Sequence, residues 1–275
     1  MFDRKLALIC LVLHTTACAR RPREALESAL GGSADGRGAA TSVASSPPAG
    51  PAARPVTPPP RPRSFREAKD RLRDLYQARS ATTLYSSCPL TNLEIDWARC
   101  CVREAEARRP KVEWEHVVPA STFGGSLPEW RDGHPRCQKK GRPFRGRKCA
   151  RRTSKLFEAM EGDMHNLFPE IGDVNGARGD TPMGVLDGPA SRHPELASCG
   201  LRFGTSVVEP RDAVHGDVAR AYLYMSGAYP DAVRLDETTR TTFERWHAAD
   251  PPDELEQIRN RMIRAEQGNG NPWIE

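Results

Sequence analysis

The spacing of apolar residues after residue 64 predicts several amphipathic helices. Ser64 and Glu67 have the spacing of a capping box, and the apolar residues that follow recur every three or four positions, which predicts a helix over 65–77. The same periodicity predicts three further helices towards the C-terminus, over 213–225, 238–248 and 250–266, the last with Asp250 as N-cap and Gly268 as its stop.

A β-favouring run ends in a carboxylate directly beside an imidazole. Residues 112–118 read as a strand that Pro119 ends or confines to an edge. Glu115 and His116 lie next to each other near its end. Because neighbouring strand residues point to opposite faces, the two side chains can share one site only if the strand ends, bulges or twists there.

A second polar cluster lies downstream, over 163–167. Apolar residues at helical spacing follow it and predict a short helix that carries Asn166 near its start. A loop is expected over 175–180, with Asn175 and Arg178 fixing its shape.

Composition divides the chain into three parts. Basic residues, a short apolar run and small residues predict a signal peptide over 1–18, and a lipoprotein-type signal with lipid attachment at Cys18 is left open. Residues 19–63 are rich in Ala, Gly, Ser and Pro and predict a disordered linker. Residues 64–275 have the length of one large compact domain.

Six cysteines in the predicted domain indicate disulfides formed in an oxidising compartment. Six cysteines allow fifteen pairings, and the sequence does not choose among them. Adjacent Cys100 and Cys101 are expected to bond to different partners, and Cys137 with Cys149 could close a loop. A structural zinc cluster is the competing interpretation, although paired Cys-x-x-Cys spacing is lacking.

The net charge of +5 is modest, but it is unevenly distributed. Residues 131–155 contain eleven Lys or Arg and one acid, Asp132. A solvated loop is the ordinary interpretation of such a run. Its place between the two polar clusters favours a phosphate-binding surface.

These residue types suit metal-assisted hydrolysis of a phosphodiester. A carboxylate from Glu115 and an amide oxygen from Asn166 are the hard donors that Mg²⁺ prefers. His116 has an ordinary pKa close to neutrality and is suited to accept a proton from water. An arginine of the basic segment could bind the phosphate with two N–H groups.

Six sequence blocks between residue 65 and residue 275 are similar, in order, to those of the bacterial endonuclease I family of periplasmic or secreted nonspecific nucleases. The blocks are WEHVVPA (114–120), GRKC (146–149), MEGDMHNL (160–167), IGDVNGAR (171–178), RAYLYM (220–225) and QGNGNP (267–272).

The resemblance implies an α+β fold, a mostly helical single domain with a small antiparallel β element and a ββα-metal (His-Me finger) active site. It implies His116 as general base, Glu115 and Asn166 as ligands of Mg²⁺, with Mn²⁺ or Ca²⁺ as substitutes, and a 5′-phosphate product. Arg147 would contact the phosphate; if the alignment of the basic segment shifts, Arg142 or Arg145 takes that place.

The expected activity is therefore that of an extracytoplasmic endonuclease with no sequence specificity. DNA is the expected partner, through its phosphate backbone, and RNA is left open as a further substrate. We expect a monomer without a protein partner, located in the periplasm or medium, or on the outer membrane if Cys18 carries a lipid. The alternative hypothesis is a noncatalytic exported nucleic-acid-binding protein on the same scaffold.

Overall fold

The computed structural model describes residues 55–275, so the predicted signal peptide and Cys18 lie outside the described residues. The described part of the chain has nine α-helices: α1 Phe65–Gln77, α2 Ala120–Gly124, α3 Pro128–Arg131, α4 Arg147–Thr153, α5 Lys155–Glu161, α6 Gly172–Arg178, α7 His215–Ala228, α8 Glu237–Ala249 and α9 Glu254–Gln267. Its short strands are β1 Ala81–Thr82, β2 Pro89–Thr91, β3 Glu94–Ile95, β4 Val112–His116, β5 Gln138–Lys139, β6 Arg142–Pro143, β7 Leu167–Ile171, β8 Leu201–Phe203 and β9 Val208–Pro210.

All pairings between these strands are antiparallel, and Val208 of β9 also forms an isolated parallel bridge to Met183. The largest sheet, β1-β2-β3, has three strands, and the other three are pairs. The α+β fold class is confirmed. Within residues 55–275, no helix combines the length and the apolarity needed to cross a membrane.

Helix α1 has the predicted bounds and the predicted capping box. The Ser64 hydroxyl accepts the N–H of Glu67, and the Glu67 carboxylate accepts the N–H of Ser64. Its buried stripe, which includes Leu72, joins a small core with Met164 and Ile263. This packing holds the start of α1 beside the strand pair described below.

The C-terminal helices form where predicted, with one corrected start. Helix α9 begins at Glu254 with Asp253 as N-cap, because Asp253 and Glu256 form a reciprocal capping box. Asp250 instead accepts the N–H of Gly216 at 2.8 Å. Gly268 ends α9 with a φ of 92°, in the left-handed region that favours glycine.

The six cysteines of residues 55–275 form three disulfides: Cys88–Cys100, Cys101–Cys199 and Cys137–Cys149. The adjacent cysteines therefore have different partners, as predicted, and the third bridge closes the basic segment. Each bridge of this kind stabilises the fold by roughly 2–4 kcal/mol.

The helix predicted after residue 163 is wrong. Met164–Asn166 is a single 3₁₀ turn, Leu167–Ile171 is strand β7, and the predicted loop at 175–180 begins as helix α6. All five β7 residues are buried, so the strand lacks the alternation that identifies a half-exposed strand. Pro169 is tolerated within it, and its carbonyl accepts the N–H of Leu84.

Strand β7 pairs antiparallel with β4, with His116 opposite Leu167 and Val112 opposite Ile171. Helix α6 follows β7 directly. Two antiparallel strands and a helix thus form one unit, and the basic segment lies in the chain between the strands.

The described end of the predicted linker, residues 55–63, lies against the domain. The N–H of Arg61 donates to the carbonyl of Gln267 at 3.2 Å, and the Asn269 side chain donates to the carbonyl of Thr57 at 2.8 Å. Pro59 is buried. Tertiary contacts therefore begin before residue 64.

Candidate active site

A cleft of about 860 Å³ opens over the end of β4. Its walls come from α1, β4, the start of α4 and the end of α6. Glu115, His116 and Arg147 line it, whereas Asn166 does not. Three of the four predicted site residues are therefore brought together.

The His116 ring lies at the bottom of this cleft and is only 6% exposed. Its Nε2 is 2.9 Å from the main-chain carbonyl oxygen of Glu161. Because a carbonyl can only accept, this contact places the imidazole proton on Nε2 and leaves Nδ1 as the basic nitrogen. Burial and the neighbouring Arg147 lower the pKa of His116 to about 4, which keeps the ring neutral near pH 7.

Glu115 is 3% exposed and is held by two donors. Its Oε1 accepts from the hydroxyl of Tyr85 at 3.1 Å and from Nη1 of Arg178 at 2.9 Å. Burial raises the pKa of Glu115 to about 7, against the lowering influence of Arg178 and Tyr85. A further positive charge at this carboxylate would therefore favour its ionised form.

Arg178 connects Glu115 and His116 at the end of β4. Its guanidinium donates to the Glu115 carboxylate and also to the carbonyls of His116 and Val117, at 2.9 and 2.5 Å. The strand ends at His116, and both side chains line the cleft. The strand therefore ends where the sequence requires it to end if Glu115 and His116 are to share one site. The sequence did not indicate that Arg178 belongs to this site.

Asn166 does not have the position expected of a metal ligand. It is fully buried, its Oδ1 accepts the N–H of Val118 at 2.7 Å, and its Nδ2 donates to the carbonyl of Val118 at 3.0 Å. Its own carbonyl accepts the N–H of Val117. Asn166 thus extends the pairing of β4 beyond His116, and the assignment of its amide to the cleft is corrected.

Asn175 of α6 supplies the amide that lines the cleft instead. Its Nδ2 donates to Oε2 of Glu113 at 2.8 Å. Glu113 and Glu115 lie two positions apart in β4 and so project from the same face. Because Glu113 binds the amide nitrogen, the orientation of Asn175 is fixed and its Oδ1 remains available as an acceptor.

Arg147 is the first residue of α4, and its side chain is 40% exposed. Its Nε donates to Oε1 of Glu161 at 2.6 Å, which leaves both Nη groups for another acceptor. Arg151 binds the same carboxylate. Burial acts to raise the pKa of Glu161, but the hydrogen bonds from Arg151 and Arg147 outweigh it and lower the pKa.

The two alternative arginines lie elsewhere. Arg142 belongs to the exposed hairpin strand β6, and Arg145 donates to the carbonyl of Arg131 at 3.3 Å. Neither lines the cleft that contains His116. Of the three candidates, only Arg147 lies where a phosphate beside His116 could bind.

The cleft is strongly basic, although most of the predicted basic segment lies outside it. Arg147, Lys148 and Arg151 represent that segment in the lining. Other cations come from parts of the chain not expected to contribute: Lys69, Arg73, Arg109, Lys111 and Arg178. The acids of the lining are Glu113, Glu115 and Asp180. A polyanion is the ligand that this excess of positive charge favours.

The sequence matches the family model described as Endonuclease I over residues 65–275. It is 38% identical over 219 residues to an extracellular deoxyribonuclease of Aeromonas hydrophila, which covers 77% of this chain and 88% of the relative. It is 37% identical over 218 residues to a periplasmic deoxyribonuclease of the same organism, covering 77% and 85%. A protein of Buchnera aphidicola named Endonuclease-1 is 34% identical over 175 residues, 63% of each chain. The chain therefore belongs to the endonuclease I family and is an endonuclease.

Proposed function

We propose that this endonuclease is exported and hydrolyses phosphodiester bonds of DNA without sequence specificity, with His116 as general base. The observation that carries the proposal is the contact between His116 Nε2 and the Glu161 carbonyl. It fixes the tautomer that a base requires, in a cleft that also contains a carboxylate, an amide and an arginine.

In the proposed reaction, Nδ1 of His116 takes the proton from a water molecule that attacks the phosphorus. The lowered pKa of His116 means that the ring is neutral and ready to accept this proton over most of the physiological range. Arg147 binds non-bridging oxygens of the scissile phosphate through its Nη groups and stabilises the charge that develops there. The P–O3′ bond breaks, so the phosphate stays on the 5′ oxygen of the next nucleotide, and the 3′ oxygen leaves as a hydroxyl after it takes up a proton.

The donor set of the cleft fits a magnesium ion. One carboxylate oxygen from Glu115 and the amide Oδ1 of Asn175 are hard donors, and few protein ligands in an open cleft are typical for Mg²⁺. When bound, the ion supplies charge stabilisation at the phosphoryl and leaving oxygens. Mn²⁺ or Ca²⁺ are the expected substitutes. The proposal replaces Asn166 by Asn175 because only the latter lines the cleft.

Three further observations support the proposed substrate and location. Two of the relatives named above, both from Aeromonas hydrophila, are named extracellular and periplasmic deoxyribonucleases. The three disulfides fit an oxidising compartment. The cations of the cleft suit backbone phosphates, so DNA affinity should fall steeply with salt. Lipid attachment at Cys18 and a monomeric state stay predictions.

Supercoiled plasmid incubated with the purified protein tests the proposal. We expect nicking in Mg²⁺, loss of nicking in EDTA, and recovery when Mg²⁺ is added in excess of the chelator. Ligase should reseal the nicks, because they carry 5′-phosphate and 3′-hydroxyl ends. A parallel reaction with folded RNA measures whether the protein also cleaves RNA. Binding without nicking in Mg²⁺ would contradict the proposal and favour a noncatalytic nucleic-acid-binding protein.

A further inference from the structure

The phenyl ring of Phe65 is surrounded by three cations. It is the first residue of α1 and lines the cleft, with its centroid 4.9 Å from that of the His116 ring. Lys69 Nζ lies 4.7 Å from the Phe65 centroid, and the guanidinium carbons of Arg147 and Arg151 lie 5.5 and 5.8 Å away. An aromatic face stabilises each of these cations, but it does not neutralise them.

The charge around Phe65 is unbalanced. Arg147 and Arg151 share one buried carboxylate, that of Glu161. Among residues 55–275, no carboxylate lies within ion-pair distance of Lys69. Three cations and one carboxylate leave two positive charges on this wall of the cleft. Because these cations repel one another at such short distances, the binding of anionic groups of a ligand to this wall is favourable.

Arg151 still has hydrogen-bonding capacity on the cleft side. Its Nε and Nη2 donate to Glu161, which leaves Nη1 with both of its N–H groups. Its side chain is 46% exposed and lines the cleft. Glu161 therefore fixes the plane of the guanidinium and leaves one edge for a further acceptor.

Arg147 and Arg151 are four residues apart on α4, about 6 Å along its axis. Successive phosphates of one nucleic-acid strand are separated by a comparable distance. With Arg147 on the scissile phosphate, Arg151 would lie near the next phosphate of the same strand. Lys69 of α1 lies against the same Phe65 ring as Arg151. Two separate elements, α1 and α4, thus converge on one position.

We propose that Lys69 and Arg151, held on the Phe65 ring, form a subsite for the phosphate adjacent to the scissile phosphate. This inference rests on the proposed function and adds a substrate requirement to it. The enzyme recognises two consecutive backbone charges, so a bond whose neighbouring phosphate is neutral is a poor substrate even when the bond itself is ordinary.

A single methylphosphonate linkage in an end-labelled twelve-nucleotide strand tests the subsite, because it removes the charge of one phosphate. Cleavage is measured at the bonds on either side and compared with the unmodified strand. In the wild-type protein, we expect cleavage at one of these adjacent bonds to fall about tenfold. In Lys69→Gln and Arg151→Gln, cleavage of the unmodified strand should fall by a similar factor. In these variants, the methylphosphonate should lower the cleavage rate of the adjacent bond by less than twofold relative to the unmodified strand.

Arg152→Gln is the matched control, since Arg152 is an exposed residue of the same helix that does not line the cleft. It should keep the wild-type response to methylphosphonate. Cleavage of both adjacent bonds at the unmodified rate in the wild type would overturn the subsite, as would an equal methylphosphonate penalty in the wild type and both variants. Failure of the proposed function is distinguishable, because the unmodified strand would then stay intact with every protein.

Discussion

The imidazole of His116 donates from Nε2 to the main-chain carbonyl of Glu161, 2.9 Å away. The side chain of the same glutamate binds Arg147, the proposed phosphate ligand. Glu161 therefore positions the base through its backbone and the phosphate-binding group through its carboxylate. The contact with His116 is buried, whereas the contact with Arg147, whose side chain is 40% exposed, is partly open to solvent.

Glu161→Gln should separate these two roles. The carbonyl that fixes His116 stays, but the charge that orients Arg147 and Arg151 is lost. We expect kcat/KM on plasmid DNA to fall roughly 10–10²-fold, because a misoriented arginine stabilises the transition state less well. Steady-state cleavage rates measure the effect.

The matched control is Glu158→Gln on the same helix, whose carboxylate pairs with the exposed Lys155. It should retain kcat/KM within about twofold, since exposed pairs contribute little. If Glu158→Gln lowers kcat/KM as much as Glu161→Gln, the positioning role of Glu161 is contradicted.

Asn175→Ala and Asn166→Ala should fail in different ways. Asn175 is half-buried in the cleft, so its loss should leave stability within about 1 kcal/mol and raise the Mg²⁺ concentration needed for half-maximal cleavage by at least roughly tenfold. Asn166→Ala leaves two buried groups of Val118 unpaired and should cost about 2–4 kcal/mol of unfolding free energy. Denaturant unfolding and Mg²⁺ titrations distinguish the two. If Asn166→Ala raised the Mg²⁺ requirement and Asn175→Ala lowered stability, Asn166 would be the metal ligand.

Arg178→Lys should be strongly disruptive despite the retained charge. Lysine lacks the planar fork that reaches Glu115 and the carbonyls of His116 and Val117 at once. We expect a loss of about 2–4 kcal/mol in the free energy of unfolding and at least a tenfold loss of kcat. Arg152→Lys is the exposed control. If Arg178→Lys unfolds at the same denaturant concentration as the wild type, the proposed role of Arg178 in stabilising the end of β4 is contradicted.

The buried His165 should make stability depend on pH. Burial and Arg259 lower its pKa to about 3, below the ordinary value of 6.5. Between these values the unfolded chain binds more protons than the folded one, so the stabilising contribution is complete above pH 6.5 and is lost as pH falls towards 3. The slope for one proton is about 1.4 kcal/mol per pH unit. His165→Gln should therefore flatten the dependence of unfolding free energy on pH between 6 and 4.5; an unchanged slope would contradict it.

Local signals explain the elements that were predicted well. Helix α1 carries its own start signal in Ser64 and Glu67, and Gly268 ends α9 through its backbone freedom. Glu115 and His116 could be predicted to share a cleft because they are adjacent in the chain. In each case the relevant contacts lie within a few residues of one another, where spacing alone is informative.

The errors arise where tertiary contacts decide. Strand β7 is completely buried, so the spacing of its apolar residues could be mistaken for that of a helix, even though Pro169 interrupts the helical pattern. The amide oxygen and the family resemblance assign Asn166 to the site, whereas Asn175 is expected only to fix the shape of a loop. Lys69 and Arg178 were missed because nothing in their local sequence shows that α1 and α6 border the cleft.

His116→Ala measured under single-turnover conditions tests the central claim most directly. The rate of DNA cleavage in Mg²⁺ should fall roughly 10²–10⁴-fold, while the dissociation constant for the same DNA stays within about threefold, because His116 is proposed to move a proton and the surrounding cations bind the backbone. A cleavage rate close to that of the wild type would contradict the assignment of His116 as the general base.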